Sequence, residues 1–176
     1  MTQSGCTIWL TGLSGAGKTT TAWALRDELA ERGRSSLVLD GDEIRHGLSS
    51  DLGFSASDRD EQVRRVGELS VLLNRQGFVA IVSLISPRAG ARQLVRAQHG
   101  AQGREFLEVY IATPLSICEQ RDPKSLYRRA RAGEETHLTG VGDPYDIPQN
   151  PDVTVSTEQS APRTVALEIL SALRTF

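Results

Sequence analysis

The stretch Gly12-Leu-Ser-Gly-Ala-Gly-Lys18-Thr19 fits the pattern G-x-x-x-x-G-K-[ST], with an apolar run before it and a segment of helical periodicity after it. Its glycines permit the backbone dihedrals that turn successive N–H groups inward around phosphate oxygens, and the following helix adds its dipole. We expect Lys18 to bridge the β- and γ-phosphates of ATP as a catalytic residue, and the Thr19 hydroxyl to ligate Mg²⁺. The loop residues predicted to bind ATP are Gly12, Ser14, Gly15, Ala16, Gly17, Lys18, Thr19 and Thr20.

The rest of the chain alternates between strand-like and helix-like segments. Apolar runs typical of buried parallel strands are residues 7–11, 36–39, 79–85, 107–112 and 153–156. Segments of helical period are residues 18–32, 58–75, 89–98, 114–121 and 162–174. This alternation predicts an α/β protein, a P-loop NTPase-type three-layer sandwich with a mainly parallel sheet, formed by residues 1–176 as a single domain. Ligands of such sheets bind at the carboxyl ends of the strands.

Composition narrows the class of protein. The 176 residues carry a net charge of −2, which lacks the basic excess expected of a nucleic-acid or anionic-membrane surface. The longest apolar run, residues 78–85, is too short to span a bilayer, and no secretory leader precedes the first strand. Cys6 and Cys118 fit no zinc or disulfide pattern, so we interpret both as core residues. These features predict a cytoplasmic protein without nucleic-acid or membrane partners.

Residues 122–150, here the lid segment, interrupt the alternation with charged residues, glycines and prolines. A segment of this length without strand character is usually functional, which favours an active-site lid over an ordinary surface excursion. Cations closing over a triphosphate would offset its charge and exclude water. We expect Arg121 and Arg128 to bind ATP, and on one helix Lys124, Arg128 and Arg131 would share a face. Lys124 and Lys18 are the only lysines among 20 basic residues, which favours functional roles for both.

Two carboxylates follow the second predicted strand. Asp42 is our candidate for the base that accepts the proton of an attacking hydroxyl, and Asp40 for a ligand of Mg²⁺ through water. Capping of a helix that begins near Glu43 is an equal alternative for Asp40. Neither lysine follows an asparagine, so the base-reading motif of GTPases is missing, and the short chain with its arginine-rich lid segment favours a small-molecule kinase.

Several longer motifs resemble the adenylyl-sulfate kinase family over nearly the whole chain, in order and with matching spacing. They are L-D-G-D-E-I-R-H-G-L at 39–48, D-L-G-F-S at 51–55, D-R at 58–59, V-R-R-V-G at 63–67, I-S-P at 85–87, C-E-Q-R-D-P-K-S-L-Y-R-R-A-R-A-G at 118–133 and L-T-G-V-G-D-P-Y at 138–145. The resemblance implies transfer of the ATP γ-phosphate to the 3′-hydroxyl of adenosine 5′-phosphosulfate, which gives 3′-phosphoadenosine 5′-phosphosulfate. A kinase of the same architecture with another hydroxyl acceptor, or a non-catalytic nucleotide-binding regulator, are the alternatives.

The resemblance also implies an acceptor pocket. Phe54 offers a flat apolar face to adenine, although a core position is its alternative, and the forked guanidinium groups of Arg45 and Arg59 suit phosphate and sulfate oxygens. The family is often assigned a phosphoserine at the position of Ser86, which we expect to act as a hydrogen-bonding catalytic residue without a covalent intermediate. The predicted acceptor-binding residues are Asp42, Arg45, Phe54, Arg59, Gln62, Ile85, Ser86, Lys124, His137 and Leu138.

The chain departs from the family pattern on this acceptor side. The segment Arg88-Ala-Gly-Ala-Arg92 stands where the family usually has Tyr-Arg-x-Asp-Arg, Gln62 replaces an asparagine, and Leu138 replaces a second stacking phenylalanine. Leucine still offers an apolar face to adenine. The resemblance leaves a homodimer and an ATP sulfurylase partner as expectations.

Overall fold

The computed structural model describes residues 4–135 and 137–173. Its strands are β1 (Cys6–Thr11), β2 (Ser36–Asp40), β3 (Val79–Ser83), β4 (Glu105–Ile111) and β5 (Val153–Val155). Its helices are α1 (Lys18–Glu31), α2 (Gly41–His46), α3 (Ala56–Arg75), α4 (Ala89–Ala101), α5 (Leu115–Arg121), α6 (Leu126–Arg131) and α7 (Pro162–Ser171). In this part of the chain no helix is long and apolar enough to cross a membrane.

The five strands form one parallel sheet in the order β2-β3-β1-β4-β5. Strand β1 lies at the centre with every residue buried, as expected of an apolar run flanked by strands on both sides. The central strand therefore delivers the phosphate loop (residues 12–19) to the middle of the carboxyl edge of the sheet.

Helices cover both faces of the sheet, as the alternation of side chains along β1 requires. Ile8 and Leu10 contribute to a core with residues of α1 and α7, whereas Trp9 belongs to a second core with residues of α3 and α4. Cys6 and Cys118 are both buried, as predicted. The predicted three-layer α/β sandwich is confirmed.

Local differences from the predicted elements occur beside the site. Strand β3 ends at Ser83, two residues earlier than predicted, and the chain then turns at Ser86, whose φ is 40°. The predicted end of the last helix at residue 174 lies outside the described residues. The prediction that Lys124 shares a helical face with Arg128 is wrong, because α5 ends at Arg121 and α6 begins only at Leu126. Pro123 lacks an N–H group and the flanking Asp122 has a φ of 21°, so the backbone cannot continue one helix there.

Candidate active site

The phosphate loop adopts a backbone that needs glycine at two close approaches. Gly15 has a φ of 74°, and a Cβ atom there would lie 2.9 Å from the Cys118 carbonyl oxygen. Gly17 has a φ of 100°, and a Cβ atom there would lie 2.7 Å from Oγ1 of Thr157. L-residues rarely adopt these dihedrals. The loop is thus packed against α5 and against the chain that follows β5.

Lys18 is buried at the start of α1. Its Nζ donates hydrogen bonds to the carbonyl oxygens of Gly12 at 2.9 Å and Leu13 at 2.7 Å. Burial lowers the pKa of the Lys18 ammonium to about 8, against the opposing influence of Cys118 and nearby carboxylates. The ammonium is thus held by two carbonyl oxygens at the start of the phosphate loop.

Thr19 and Asp40 meet at the carboxyl edge of the sheet. The Thr19 hydroxyl donates to Oδ2 of Asp40 at 2.7 Å and lies 3.4 Å from Oγ of Ser83. Oδ1 of Asp40 accepts from the backbone N–H of Asp42 at 3.0 Å, so Asp40 also caps α2. Both sequence interpretations of Asp40 are therefore compatible with its position.

This oxygen set fits Mg²⁺ bound through one or two protein oxygens together with substrate phosphates. Within residues 4–135 and 137–173, no group of three or more His, Cys, Asp or Glu side chains could form a metal cage. Mg²⁺ usually keeps several waters and substrate oxygens, and it needs no such cage.

Asp42 lies in the first turn of α2, and its Oδ2 is paired with Nζ of Lys124 from the lid segment. Both side chains are at least half exposed, at 61% and 50%. Exposed pairs of this kind contribute about 0–1 kcal/mol, so the pairing can be exchanged for another partner at little cost. The candidate base and the lid cation are thus in direct contact.

A cavity of about 600 Å³ joins these groups. Most of the predicted site residues line it, namely Ser14, Gly15, Gly17, Lys18, Thr19, Thr20, Asp40, Asp42, Arg45, Phe54, Arg59, Gln62, Ile85, Ser86, Arg121, Lys124, His137 and Leu138. Three predicted residues are not among the lining groups. Gly12 and Ala16 lie behind the loop surface, and Arg128 contacts Ser125 within α6 and its preceding turn.

Side chains opposite the loop form the acceptor wall, by which we mean Arg45, Phe54, Arg59, Gln62 and Ser86. Phe54 is 61% exposed, so it is not a core residue. The guanidinium carbons of Arg45 and Arg59 lie 4.5 Å and 5.8 Å from the centre of its ring. Burial lowers the pKa of both arginines, which are partly withdrawn from water. The site thus combines one exposed aromatic ring with two guanidinium groups close to it, a combination that suits an anionic nucleotide.

Arg59 also connects the acceptor wall to the lid segment. Its Nη2 donates to the His137 carbonyl oxygen at 2.7 Å, and its Nη1 to the Thr139 hydroxyl at 3.2 Å. Because of these contacts, Arg59 is not a freely solvated charge at the start of α3. Leu138, between the two lid residues, is buried in the core that includes α1.

Gln62 and Ser86 complete the acceptor wall. Nε2 of Gln62 donates to the Gly41 carbonyl oxygen at 3.0 Å, next to the candidate base. Ser86 is buried, and its hydroxyl accepts a hydrogen bond from Nε1 of Trp9 at 3.1 Å. The Ser86 hydroxyl oxygen is the acceptor of this bond, which therefore does not use the hydroxyl proton.

The sequence interpretation missed a part of the donor side. Thr157, Ser160 and Pro162, which follow β5, also line the cavity. Arg121 donates to Oγ1 of Thr157 at 2.8 Å and to its carbonyl oxygen at 2.7 Å. The position of Thr157 after a predicted strand was the available signal, because ligands bind at that edge of a parallel sheet.

Comparisons with known proteins agree with this geometry. The family model described as "Adenylylsulphate kinase" matches residues 4–156. An adenylyl-sulfate kinase from Citrobacter koseri is 49% identical over 172 residues, which cover 98% of this chain and 84% of the relative. The structure of the Mycobacterium tuberculosis APS kinase in complex with AMPPNP and APS superposes with a TM-score of 0.93 at 47% identity, covering 96% of this chain and 97% of that one. A hexameric APS kinase from Thiobacillus denitrificans is 34% identical with a TM-score of 0.74, covering 98% of this chain and 29% of that one.

Proposed function

Because the chain belongs to the adenylylsulphate kinase family, we propose that its cavity binds ATP at the phosphate loop and adenosine 5′-phosphosulfate (APS) at the acceptor wall. The chain is an enzyme with adenylyl-sulfate kinase activity, and its product is 3′-phosphoadenosine 5′-phosphosulfate. One observation supports the placement of ATP at the loop and of APS at the wall. A buried ammonium on one side and an exposed aromatic ring with two guanidinium groups on the other line the same cavity.

On the donor side, Lys18 binds oxygens of the β- and γ-phosphates. Its fixed position supports this role, since a preorganised charge needs no reorganisation as the phosphate is transferred. Thr19 and Asp40 would hold Mg²⁺, which when bound neutralises charge on the phosphates. Arg121 lies against the segment after β5 and would cover the nucleotide from that side.

On the acceptor side, Phe54 stacks on the adenine ring while Arg45 and Arg59 bind the phosphosulfate. Asp42 accepts the proton of the 3′-hydroxyl as this oxygen attacks the γ-phosphorus in line. Gln62, Ile85, His137 and Leu138 shape the pocket around the acceptor, and Ser86 donates a hydrogen bond from the turn after β3. No covalent intermediate on Ser86 is required for direct transfer.

The lid segment controls whether the Asp42 carboxylate is free to accept the proton of the 3′-hydroxyl. Lys124 leaves Asp42 for the anionic oxygens of the bound substrates, which frees the carboxylate at the moment when the cavity closes. The exposure of the pair supports this exchange, because a solvated ion pair is weak. Arg128 is bonded to Ser125 and is not among the residues that line the cavity, so its role towards ATP stays a prediction.

The chain as a whole forms a single kinase domain in this proposal. The hexameric relative supports an oligomer, of which a homodimer is the smallest form. Docking of an ATP sulfurylase stays a prediction.

An acceptor panel tests the proposal. ADP release would be followed with ATP and APS, adenosine 5′-monophosphate or 3′-deoxyadenosine 5′-phosphosulfate as acceptor. We expect turnover with APS, a large loss without the sulfate, and none without the 3′-hydroxyl. Robust phosphorylation of another hydroxyl compound together with no use of APS would contradict the proposal.

A further inference from the structure

Arg92, on α4, is almost completely buried behind the acceptor wall, with 2% of its side chain exposed. Its three guanidinium nitrogens each donate to a different element. Nε donates to Oε1 of Glu108 at 2.8 Å, Nη1 to the Ser86 carbonyl oxygen at 2.7 Å, and Nη2 to the Asp146 carbonyl oxygen at 2.6 Å. One planar group thus joins β4, the chain that leaves β3, and the end of the lid segment.

The segments joined by Arg92 are also bonded to each other. The Asp146 backbone N–H donates to the Pro87 carbonyl oxygen at 2.8 Å, and Oδ2 of Asp146 accepts from the Ala89 N–H at 3.0 Å. Ser86 has a φ of 40°, a conformation that a non-glycine residue keeps only when its surroundings hold it. Nη1 of Arg92 donates a hydrogen bond to the carbonyl oxygen of this residue and so helps to hold its conformation.

A second arginine on the same helix, Arg96, allows the neutralisation of Glu108 to be distinguished from the positioning of Ser86 and Asp146. Arg96 donates to Oε2 of Glu108 at 3.2 Å and to Oδ2 of Asp152 at 2.5 Å. Arg96 therefore already offsets the charge of Glu108, and it donates to Glu108 and Asp152 rather than to Ser86 or Asp146. Burying a guanidinium is costly, and a buried ion pair is weak evidence for stability alone. What distinguishes Arg92 is its pair of backbone contacts to the acceptor wall and the lid segment.

We propose that Arg92 is a positioning residue for the acceptor side, which holds Ser86 at the cavity edge and ties the end of the lid segment to it. This inference rests on the proposed function, because it assigns APS to the wall that Ser86 completes. The planar guanidinium holds two carbonyl oxygens and the Glu108 carboxylate in one fixed plane, whereas a lysine ammonium on its flexible stem sets no such relative orientation. Loss of the fork releases Ser86 and Asp146 and leaves the phosphate loop unchanged.

The kinetic test compares Arg92→Gln and Arg92→Lys with the matched control Arg96→Gln. We expect Arg92→Gln to raise the KM for APS at least tenfold and Arg92→Lys at least fivefold, with the KM for ATP within twofold of the starting protein. Arg96→Gln should leave both KM values within twofold. Equal increases for the two substrates, or an equal increase in Arg96→Gln, would overturn the proposal. If Arg92→Gln does not fold, an unchanged KM for APS in folded Arg92→Lys would overturn it.

A second readout does not depend on turnover. The Trp9 indole donates to the Ser86 hydroxyl, and the chain contains one other tryptophan, Trp23. In a Trp23→Phe background, the emission of Trp9 should shift in Arg92→Lys and stay unchanged in Arg96→Gln. Unchanged Trp9 emission in all variants would contradict the positioning of Ser86 by Arg92. Failure of the unsubstituted enzyme to use APS would contradict the proposed function instead, and the emission test would still decide the role of Arg92.

Discussion

The phosphate loop and the acceptor wall line the same cavity but are built by different means. The loop is one contiguous stretch, residues 12–19, whose geometry comes from backbone dihedrals at glycines and from a buried lysine bonded to its own loop carbonyls. The acceptor wall comes from four segments of the chain, and its central ring, Phe54, is 61% exposed. Arg59 of this wall is held by carbonyl and hydroxyl groups of the lid segment, whereas Arg45 donates to the Gly53 carbonyl oxygen at 2.7 Å.

The donor half is therefore organised by its own backbone, whereas the acceptor half depends on contacts with the lid segment. Substitutions in the loop should therefore act on the chemical step. Substitutions in the acceptor wall should act on one substrate and leave the other unaffected.

The largest effect is expected for Lys18→Ala. Loss of a preorganised charge on the transferring phosphate should lower kcat by about 10³-fold, within the range for such groups. ADP release measures the rate, and circular dichroism checks that the fold remains. Arg26→Ala, which removes an exposed cation further along α1, is the control. Near-normal turnover in a folded Lys18→Ala protein would show that the loop does not hold the reacting phosphate.

The next largest effect is expected for Asp42→Asn. The amide keeps the shape of the side chain but cannot accept the proton, so kcat should fall by about 10²-fold while the KM for ATP changes little. The control is Glu43→Gln, a change of the neighbouring exposed carboxylate. Survival of kcat within a few-fold would remove Asp42 as the base and make Asp40 the candidate.

The pH dependence of the loop provides a third test. Burial lowers the pKa of Lys18 to about 8 in the folded protein, from 10.5. Above pH 8 the Lys18 ammonium of the free enzyme loses its proton. The value of kcat/KM for ATP should therefore fall about tenfold for each further pH unit. Between these two pKa values the unfolded chain binds more protons, so this group makes the folded state more stable as pH rises. Measurement of kcat/KM and Tm from pH 7 to 9.5 separates loss of charge from unfolding, and a flat rate profile would contradict the role of Lys18.

The smallest effect is expected for Tyr127→Phe. Tyr127 is buried in α6, and its hydroxyl donates to the Ser14 carbonyl oxygen of the phosphate loop at 2.8 Å. A hydrogen bond of this kind contributes about 0.5–1.5 kcal/mol, so kcat/KM for ATP should fall only a few-fold. Tyr110→Phe removes the same group from β4 and should have no effect. Equal changes in the two variants would mean that α6 is not tied to the loop through Tyr127.

The sequence alone predicted the sheet, the loop and both carboxylates after β2, because each depends on a short contiguous pattern. It failed where the backbone turns without a strong signal. Positive φ values at Asp122 and Ser125 separate α5 from α6 and move Lys124 out of any helix. The donor residues after β5, such as Thr157, were missed because no motif marks them. The acceptor wall was found through the family resemblance, since no spacing rule brings exposed side chains from four segments together.

The most direct test of the two-sided cavity is the pair of KM values of Phe54→Ala. Stacking of a base on an aromatic ring contributes about 1–3 kcal/mol, which predicts an increase of about 5- to 150-fold in the KM for APS. The KM for ATP should stay within twofold, as should both values in Leu94→Ala, a control at a side chain that is 74% exposed. Equal losses for both substrates in Phe54→Ala would contradict the division of the cavity into a donor loop and an acceptor wall.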